Sequence, residues 1–430
     1  MNLPYGTSHL EFPDKWDGKA RLVEPGPFPG RIDSTAEVIR ALENPVGCPR
    51  LADVARKGQK VALVVPDLTR RAGVSVYLPP LLDELARSGV RDDDVTIIVA
   101  LGIHRPLDED ELGQLAGKDI RGRYNVVNHE ADKHGSNLHM GNTVRGLPVE
   151  LNRTVAEADR VVLTGSVTYH YFAGYGGGRK SLLPGVASRK SCEAHHRMVV
   201  DYRRGKLQGE LGPGILEGNP VHGAMLEACL MAPPIFILNT VTEPGGSIIG
   251  AAAGELIQAH LDACRRHDIF YRKEIKEPSR LVIASAGGHP RDVNFVQAHK
   301  GLYSAHRTVA ADGVVILAAR CPEGTGNPDF IRWFERCRTE AQWLDELERR
   351  YQINGQTAFS TWLRVKAVPT VLISELPPDL VKIMGMIPAG DPVEALQRAG
   401  EILGGLPVPI VLPDAGDTFT VVGSAEGEER

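Results

Sequence analysis

The sequence predicts an α/β fold of two domains, each built on a mostly parallel sheet flanked by helices. Short apolar runs rich in β-branched residues alternate with longer helical patterns, as in repeated strand–helix–strand units. The alternation starts again after about residue 275, and a chain of 430 residues is long enough for two or three domains that each bury a core.

Three strands define the predicted first domain. They cover Val61–Val65, Val95–Ala100 and Arg160–Thr164. A helical pattern through Leu78–Leu85 follows the first strand. A second helix begins at Asp108–Leu112, where the acidic residues suit the first turn of a helix. We expect this domain to span residues 1–272.

The second, smaller domain is predicted to span residues 273–401, after a linker close to residues 270–277. Its strands are expected at Leu281–Ser285, Gly313–Leu317 and Thr370–Ile373. A last strand at Ile410–Leu412 is compatible with either domain, so residues 402–430 are left open to join the first one. The polar C-terminal tail is expected to fray. In this layout we expect the active site to lie in the cleft between the domains.

Composition narrows the classes of function. Lys and Arg number 49 against 54 Asp and Glu, and the net charge of −5 argues against a nucleic-acid partner, which would favour a basic excess. No run reaches the roughly 18 apolar residues of a transmembrane helix, and the N-terminus lacks the features of a signal peptide. The six cysteines form no CxxC pair, so we interpret them as reduced and mostly buried. A soluble cytoplasmic protein without a membrane partner is expected.

Three polar loops directly follow predicted strands, at Pro66–Arg70, Gly102–Pro106 and Gly165–His170. In doubly wound sheets ligands bind outside the carboxyl ends of the strands, so we expect these loops to converge on one crevice. Their candidate functional residues are Asp67, Arg70, His104 and His170. Asp67 and Arg70 are interpreted either as an N-cap and a surface cation, or as a hydrogen-bonding carboxylate beside an arginine that clamps a substrate carboxylate.

The segment Gly174–Ser181 contains three consecutive glycines followed by Arg179 and Lys180. Glycines let a backbone approach a ligand closely. The segment departs from a P-loop, because Arg179 stands where GxxxxGK[ST] requires glycine and Gly174 lies nine positions after Gly165. Nucleotide phosphate binding and an ordinary tight turn are the alternatives to a cofactor cradle.

Further candidates lie outside these loops. Of the adjacent His195 and His196, at most one can face the crevice, because neighbouring helix positions point about 100° apart. Gln297 and Lys300 share one face of a predicted helix early in the second domain, and we expect them to point across the cleft. A looser group is interpreted as a solvated loop rather than a zinc site; it comprises His129, His134 and His139.

Taken together, these motifs resemble the nickel-dependent lactate racemase family, which includes related 2-hydroxyacid racemases and epimerases. The shared pieces, in order, are Asp67-x-x-Arg70, Gly102-x-His104-Arg-Pro106, His170-Tyr-Phe-Ala-Gly-x-x-Gly-Gly-Arg179-Lys180, His196 and Gln297-x-x-Lys300. They span residues 67 to 300, and the longest of them is the most specific.

The resemblance implies a cofactor, pyridinium-3,5-bisthiocarboxylic acid mononucleotide, that binds nickel as a pincer. Lys180 would anchor it covalently through a thioamide, and nickel would take two sulfurs and a carbon from the pincer and the Nε of His196 as fourth ligand, an arrangement that suits Ni(II). Other residues implied in the cofactor site are Asp67, Gly176, Gly177, Gly178 and Arg179. Cofactor-synthesis and nickel-insertion enzymes are the implied partners.

The implied reaction is racemisation of a short 2-hydroxy acid by reversible hydride transfer through a 2-keto acid. His104 and His170 would be the two acid/bases, while Arg70, Gln297 and Lys300 would bind the carboxylate. Val296 stands where lactate-specific members are associated with tyrosine, and the match around Trp362 is too weak to transfer the role of a pocket tryptophan. The substrate is therefore expected to be lactate or a somewhat longer aliphatic hydroxy acid.

Three alternatives stay open. The first is a sugar-acid epimerase with the same cofactor, and the second is a phosphate-binding NTP-dependent enzyme that uses residues 174–181. The third is a non-catalytic member that binds or carries the pincer.

Overall fold

Two six-stranded sheets, each with its own helices, organise the chain. The computed structural model describes residues 1–201, 206–207 and 211–423. The first compact unit contains residues 28–201 and 211–269. The second unit contains residues 1–27 together with the chain from residue 270 onwards.

The strands of the described residues are β1 Asn2–Tyr5, β2 Ser8–Glu11, β3 Arg21–Leu22, β4 Val61–Pro66, β5 Val95–Ala100, β6 Asn125–Asn128, β7 Asn137–Asn142, β8 Pro148–Asn152, β9 Arg160–Ser166, β10 Tyr169–His170, β11 Gly174–Tyr175, β12 Val200–Asp201, β13 Lys206–Leu207, β14 Ile235–Thr242, β15 Ile248–Gly254, β16 Arg272–Ile275, β17 Ser279–Ser285, β18 Val309–Ala318, β19 Thr370–Ile373, β20 Ile387–Ala389, β21 Ile410–Leu412 and β22 Phe419–Val422. The α-helices are α1 Ser34–Glu43, α2 Leu51–Val54, α3 Val74–Arg87, α4 Glu109–Ala116, α5 Lys118–Arg123, α6 Arg153–Ala156, α7 Gly178–Leu182, α8 Arg189–Arg197, α9 Pro220–Met231, α10 Gln258–Tyr271, α11 Phe295–Thr308, α12 Pro328–Arg336, α13 Glu340–Arg349, α14 Ile353–Ala367, α15 Pro378–Ile383 and α16 Pro392–Leu403.

The first sheet has the strand order β15-β14-β9-β4-β5-β6, and β15 alone runs antiparallel to its neighbour. Every residue of β4 is buried. Leu63 and Val65 enter one hydrophobic core, and Ala62 and Val64 enter another on the opposite face. Burial on both faces explains why this strand is continuously apolar in sequence, and it confirms the predicted parallel sheet covered by helices.

The strand order of this sheet reverses between β4 and β9. From β4 the chain proceeds outwards through β5 to β6, whereas β9 lies on the other side of β4 and is followed by β14. In open α/β sheets such a switch point leaves a crevice at the carboxyl ends of the strands, where ligands bind. The three polar loops predicted to converge follow β4, β5 and β9, which are neighbours.

The second sheet is parallel throughout, in the order β20-β19-β18-β17-β21-β3. The strands predicted at residues 281–285, 313–317, 370–373 and 410–412 all belong to it. The last one, β21, pairs with β17 through Ile410 opposite Val282, so it belongs to this sheet and not to the first.

The N-terminal segment also belongs to the second unit, which differs from the predicted range of 1–272 for the first domain. The short strand β3 adds to the edge of β21, and Leu3 and Phe12 pack into the same core as Leu281 and Ile283. A strand of two residues leaves no periodic signal in a sequence, and its partner lies almost 400 positions away.

Three further predictions concern the cysteines, membrane-spanning helices and the C-terminal tail. All six cysteines are free, and five are buried while Cys48 is half-buried, which confirms that they are mostly buried; their reduced state stays a prediction. Among the described residues, no helix has the length and apolar character needed to cross a membrane. The C-terminal tail expected to fray lies outside the described residues.

Candidate active site

A histidine and a carboxylate from two of the polar loops meet at the switch point. The Nδ1 atom of His104, after β5, lies 2.8 Å from Oδ2 of Asp67, after β4. A carboxylate can only accept, so Nδ1–H of His104 donates and Nε2 is unprotonated in the neutral ring. The side chain of His104 is 51% exposed while that of Asp67 is 4% exposed. The arrangement presents an oriented base, with its partner carboxylate held behind it.

Asp67 is fixed by the turn that it begins. It is the N-cap of a single 3₁₀ turn, Leu68–Arg70, and its Oδ1 accepts hydrogen bonds from the Thr69 amide at 3.1 Å and the Thr69 hydroxyl at 2.5 Å. Burial by itself would raise the pKa of Asp67. The hydrogen bonds from His104 and Thr69 and the charge of Arg70 outweigh burial, so the pKa lies below its ordinary value. The N-cap interpretation of Asp67 is therefore confirmed, and its functional role stays a prediction.

His170 lies on a short hairpin that follows β9. Strands β10 and β11 pair antiparallel, with His170 opposite Gly174. The Nδ1 atom of His170 accepts a hydrogen bond from the backbone N–H of Ala173 at 3.2 Å. Its ring stacks on Tyr171 at 5.1 Å between centroids and meets the edge of Phe172 at 4.3 Å. The local backbone thus sets the orientation of this second imidazole.

The ring of Phe172 connects His170 with the histidine pair of α8. Phe172 is buried, and its ring lies edge-on to His196 with 5.6 Å between centroids. The ring planes of His195 and His196 are inclined at 85°, with 5.6 Å between centroids. Buried His195 faces the carbonyl of Val221 at 3.1 Å. Of the pair, it is His196 that packs against Phe172, the residue that also contacts His170.

His196 is held in one tautomer. Its Nδ1–H donates to the carbonyl of Cys192 at 2.7 Å, which leaves Nε2 as the atom with a lone pair. Burial is the main reason why the pKa of His196 falls to about 4; the hydrogen bond to Cys192 raises it in part, and the nearby charge of Lys180 lowers it by a smaller amount. A neutral imidazole whose other nitrogen donates to a carbonyl is the usual state of a metal-binding histidine.

The glycine run packs α7 against the sheet. A Cβ at Gly178 would lie 2.9 Å from Cγ1 of Ile237, and one at Gly177, where φ is 102°, would lie 2.7 Å from Oδ1 of Asn239. Gly176 is less crowded, with Thr168 Oγ1 at 3.3 Å from its Cβ position. Close packing therefore accounts for Gly177 and Gly178 whether or not a ligand passes near them.

Arg179 is directed into the protein. It is 1% exposed, and its guanidinium donates to the carbonyls of Leu256 and Ile257 and lies 3.0 Å from Nε2 of His222. Burial lowers the pKa of this guanidinium. These contacts give Arg179 a structural role in joining α7 to the start of α10, and a contact between Arg179 and a cofactor stays a prediction.

The geometry of residues 174–181 differs from a P-loop. A P-loop runs from a strand directly into its helix. Here the β10–β11 hairpin intervenes, and Gly174 is part of it. The hydroxyl of Ser181, which a P-loop would direct to a metal, donates instead to the carbonyl of Thr164 at 2.6 Å. The phosphate-binding alternative therefore loses its structural basis.

The predicted carboxylate-binding residues are found in both units. Arg70 is exposed at the end of the 3₁₀ turn in the first unit. In the second unit, Gln297 and Lys300 lie on α11, and Nζ of Lys300 donates to Oε1 of Gln297 at 3.1 Å, which confirms that they share a face. Both are exposed. The placement of the site in a cleft between the units stays a prediction.

Trp362 and His129, two further residues considered in the sequence analysis, both contact other parts of the protein. Trp362 stacks on Phe359 and lies 5.9 Å from the ring of Trp343, within an aromatic cluster of the second unit. His129 is buried and lies 2.9 Å from the carbonyl of Ala187, so the interpretation of this histidine as part of a solvated loop is wrong. In the part of the chain that the structure describes, no three or more His, Cys, Asp or Glu side chains are grouped to hold a metal ion.

Sequence reasoning missed one carboxylate of the site region. Asp268, on α10, accepts hydrogen bonds from the hydroxyls of Tyr169 and Tyr175, on the hairpin that carries His170. No local signal could have identified it, because it lies more than 90 positions from both tyrosines.

Comparison with known proteins agrees with this arrangement. Two family models, described as the lactate racemase N-terminal domain and the lactate racemase C-terminal domain, match residues 5–207 and 275–418. A lactate racemase from Thermoanaerobacterium thermosaccharolyticum is 32% identical over 428 residues, which cover 96% of this chain and 97% of that protein. The chain belongs to the lactate racemase family.

Other members of the lactate racemase family support the assignment. The lactate racemase of Lactiplantibacillus plantarum is 29% identical over 425 residues, covering 96% of this chain and 98% of that protein. The solved lactate racemase apoprotein of T. thermosaccharolyticum superposes with a TM-score of 0.88 at 30% identity, covering 98% of this chain and 99% of that one. Membership in this family makes the chain an isomerase of the racemase class, and the fold agreement confirms the predicted two-domain α/β architecture.

Proposed function

We propose that this protein racemises a short 2-hydroxy carboxylic acid, lactate or a somewhat longer aliphatic homologue, through a transient 2-keto acid. The observation that carries the proposal is the Asp67–His104 pair, an oriented imidazole base at the switch point of the first sheet. The lactate racemases of two bacteria are its full-length relatives. They favour lactate as the first substrate to test.

The chemistry requires a base for the hydroxyl proton and an acceptor for the hydrogen at Cα. That hydrogen is too weakly acidic for an unaided side-chain base, so it is expected to leave as hydride while His104 removes the hydroxyl proton. Opposite enantiomers need a proton acceptor on opposite sides of the substrate. His170, on the neighbouring strand-end hairpin, is the proposed second acid/base.

The proposed cofactor is the nickel pincer nucleotide, attached at Lys180. When bound, it would supply the hydride acceptor and donor. The residues present fit this group: His196 offers a neutral imidazole with its Nε2 lone pair available, and imidazole suits nickel. Lys180 is close enough for its charge to lower the pKa of His196. A single protein imidazole also fits a metal whose other ligands come from the cofactor.

The substrate carboxylate is proposed to bind Arg70, Gln297 and Lys300. Replacing Lys300 by Ala is expected to raise the KM for lactate by at least about tenfold, because the carboxylate loses a charged partner (about 1.4 kcal/mol per factor of ten). Lys382, an exposed lysine paired with Asp379, provides the matched control. An unchanged KM in the Lys300→Ala variant would place Lys300 outside the substrate site.

The decisive test measures interconversion of the lactate enantiomers by protein produced together with the pincer-synthesis and nickel-insertion enzymes, which are its proposed partners in the cytoplasm. His104→Ala and His170→Ala are each expected to abolish interconversion while the cofactor stays loaded, whereas the exposed His134→Ala retains it. Full activity in either of the first two variants would refute the two-base proposal.

Peptide mass spectrometry tests the cofactor separately. A nucleotide-sized adduct on Lys180 is expected in the loaded protein, and none is expected on the surface residue Lys190, which pairs with Glu150. An unmodified Lys180 in folded, nickel-exposed protein would refute the pincer proposal. A panel of longer aliphatic hydroxy acids and sugar acids then separates the racemase from the epimerase alternative, and a loaded protein that turns over none of them would be a non-catalytic cofactor-binding member.

A further inference from the structure

A carboxylate outside the family motifs ties together both strands of the hairpin that carries His170. The hairpin strands β10 and β11 have two residues each, with Tyr169 opposite Tyr175 and His170 opposite Gly174. The Asp268 carboxylate accepts a hydrogen bond from the Tyr169 hydroxyl at 2.6 Å and from the Tyr175 hydroxyl at 2.8 Å. One side chain on α10 thus holds both strands at the residue pair next to His170.

Backbone pairing between β10 and β11 contributes little to the stability of the hairpin. Two-residue strands form few ladder hydrogen bonds, and even longer isolated hairpins are marginally stable in water. The partner of His170 is Gly174, which has no side chain to pack against the imidazole and adopts a φ of 78°. A Cβ there would lie 2.3 Å from the carbonyl oxygen of Ile215. The hydrogen bond from Ala173 orients the imidazole within the hairpin, whereas the position of the hairpin depends on how its other side chains are anchored.

The surroundings of Asp268 suit an ionised acceptor. Burial would raise its pKa, but the nearby His267 and the hydrogen bonds from Tyr169 and Tyr175 outweigh burial and lower the pKa. The side chain is 25% exposed. Hydrogen bonds to a carboxylate are stronger than those between neutral groups. The aromatic rings also pack together. The ring centroids of Tyr169 and Tyr175 are 5.2 Å apart, and the ring of His267 lies edge-on to that of Tyr169 with 4.6 Å between centroids.

We propose that Asp268 is a positioning residue for His170: by accepting both tyrosine hydroxyls, it fixes the hairpin so that the imidazole keeps its working orientation. Successive residues of a strand point to opposite faces, so Tyr169 reaches α10 while His170 is directed to the other side, toward Phe172. The inference rests on the proposed function in one respect, namely that His170 is an acid/base.

The kinetic test compares Asp268→Asn with wild type in the cofactor-loaded enzyme. We expect kcat for lactate interconversion to fall by about 10- to 100-fold, by analogy with the loss of residues that orient metal-binding histidines, with KM changed less than about threefold. Tyr169→Phe and Tyr175→Phe each remove one donor and are expected to have smaller effects, and Asp268→Glu is expected to restore part of the loss. Asp262→Asn is the matched control, because Asp262 lies on the same helix but pairs with Arg265 and Arg266.

A second readout does not need activity. In protein labelled with ring-¹⁵N histidine, the His170 signals are assigned by their absence in His170→Ala. Asp268→Asn is expected to shift the Nδ1 resonance of His170, which reports the hydrogen bond from Ala173, and to leave the resonances of His104 in place. The single tyrosine variants provide the same test if Asp268→Asn does not fold.

The two readouts separate the two ideas. A variant at Asp268 with wild-type kcat and an unchanged His170 spectrum would overturn the positioning role. Wild-type protein that is loaded yet inactive would refute the proposed function, while the spectrum would still decide whether Asp268 positions His170.

Discussion

Replacing Asp67 by Asn tests the central pair of the proposed site. The two carboxylate oxygens have separate partners, because Oδ1 accepts both hydrogen bonds from Thr69 and Oδ2 faces Nδ1 of His104. In the variant, the amide oxygen is expected to stay with the Thr69 donors, so the amide NH₂ faces His104. That group donates, and it therefore favours the tautomer whose proton is on Nε2. His104 then has no lone pair for the substrate hydroxyl at that atom.

The expected loss combines a charge effect and a tautomer effect. A full charge at about 4 Å stabilises an imidazolium by roughly 1 kcal/mol in water and roughly 4 kcal/mol at an effective dielectric constant of 20. Because His104 is 51% exposed, we take about 2 kcal/mol, or about 30-fold in rate. The wrong tautomer in a Ser-His-Asp site costs about 10⁴-fold. We therefore expect kcat to fall between about 30-fold and about 10⁴-fold, with little change in KM.

The assay follows conversion of each lactate enantiomer by loaded enzyme, with nickel and the Lys180 adduct quantified in every sample because the sequence also predicts Asp67 for the cofactor site. Thr69→Val is the control. It removes the hydroxyl that donates to the same carboxylate and keeps the Asp67–His104 contact, so a loss below about fivefold is expected. A fully loaded Asp67→Asn enzyme within about threefold of wild type would refute the argument that Asp67 orients His104.

Three further predictions concern the metal, the packing and the response to pH. His196→Ala is expected to lose most of the bound nickel while the adduct on Lys180 remains, as checked by metal analysis; retained nickel would exclude His196 as a ligand. Gly165→Ala places a Cβ 2.6 Å from the carbonyl carbon of Gly177, so it should destabilise the protein by about 1–3 kcal/mol in urea unfolding, whereas Gly113→Ala, with open space around it, should be neutral or slightly stabilising. Burial lowers the pKa of His195 to about 3, so this residue is neutral in the folded protein and protonates below about pH 6.5 in the unfolded chain. Stability should therefore fall as the pH drops below about 6.5, by up to about 1.4 kcal/mol per pH unit from this residue, and His195→Gln should flatten the dependence of the melting temperature on pH; an unchanged slope would contradict the assignment.

Asp67 and Arg179 show which features of the site can be predicted from the sequence and which cannot. Asp67 follows a strand that is apolar throughout, and residues at the carboxyl ends of parallel strands are brought to one edge by the fold itself. The convergence of the loops that carry Asp67 and His104 is therefore predictable from the sequence. Arg179 lies within the most specific motif, yet its guanidinium turns to the carbonyls at the start of α10. Which way a side chain in a glycine-rich turn points depends on the packing around it.

The alternation of strands and helices, the loops that carry the chemistry and the similarity to one family could be predicted from the sequence, because they depend on local periodicity and on residue identity at fixed spacing. Three other features became visible only in the folded chain. These are the docking of residues 1–27 on the second sheet, the tautomers of His104 and His196, and the Asp268 anchor of the His170 hairpin. Most of these rest on contacts between residues far apart in the chain, and the tautomer of His196 rests on one backbone carbonyl within its own helix. Local propensity carries no information about such hydrogen bonds, since burial and partner geometry arise only when the chain has folded.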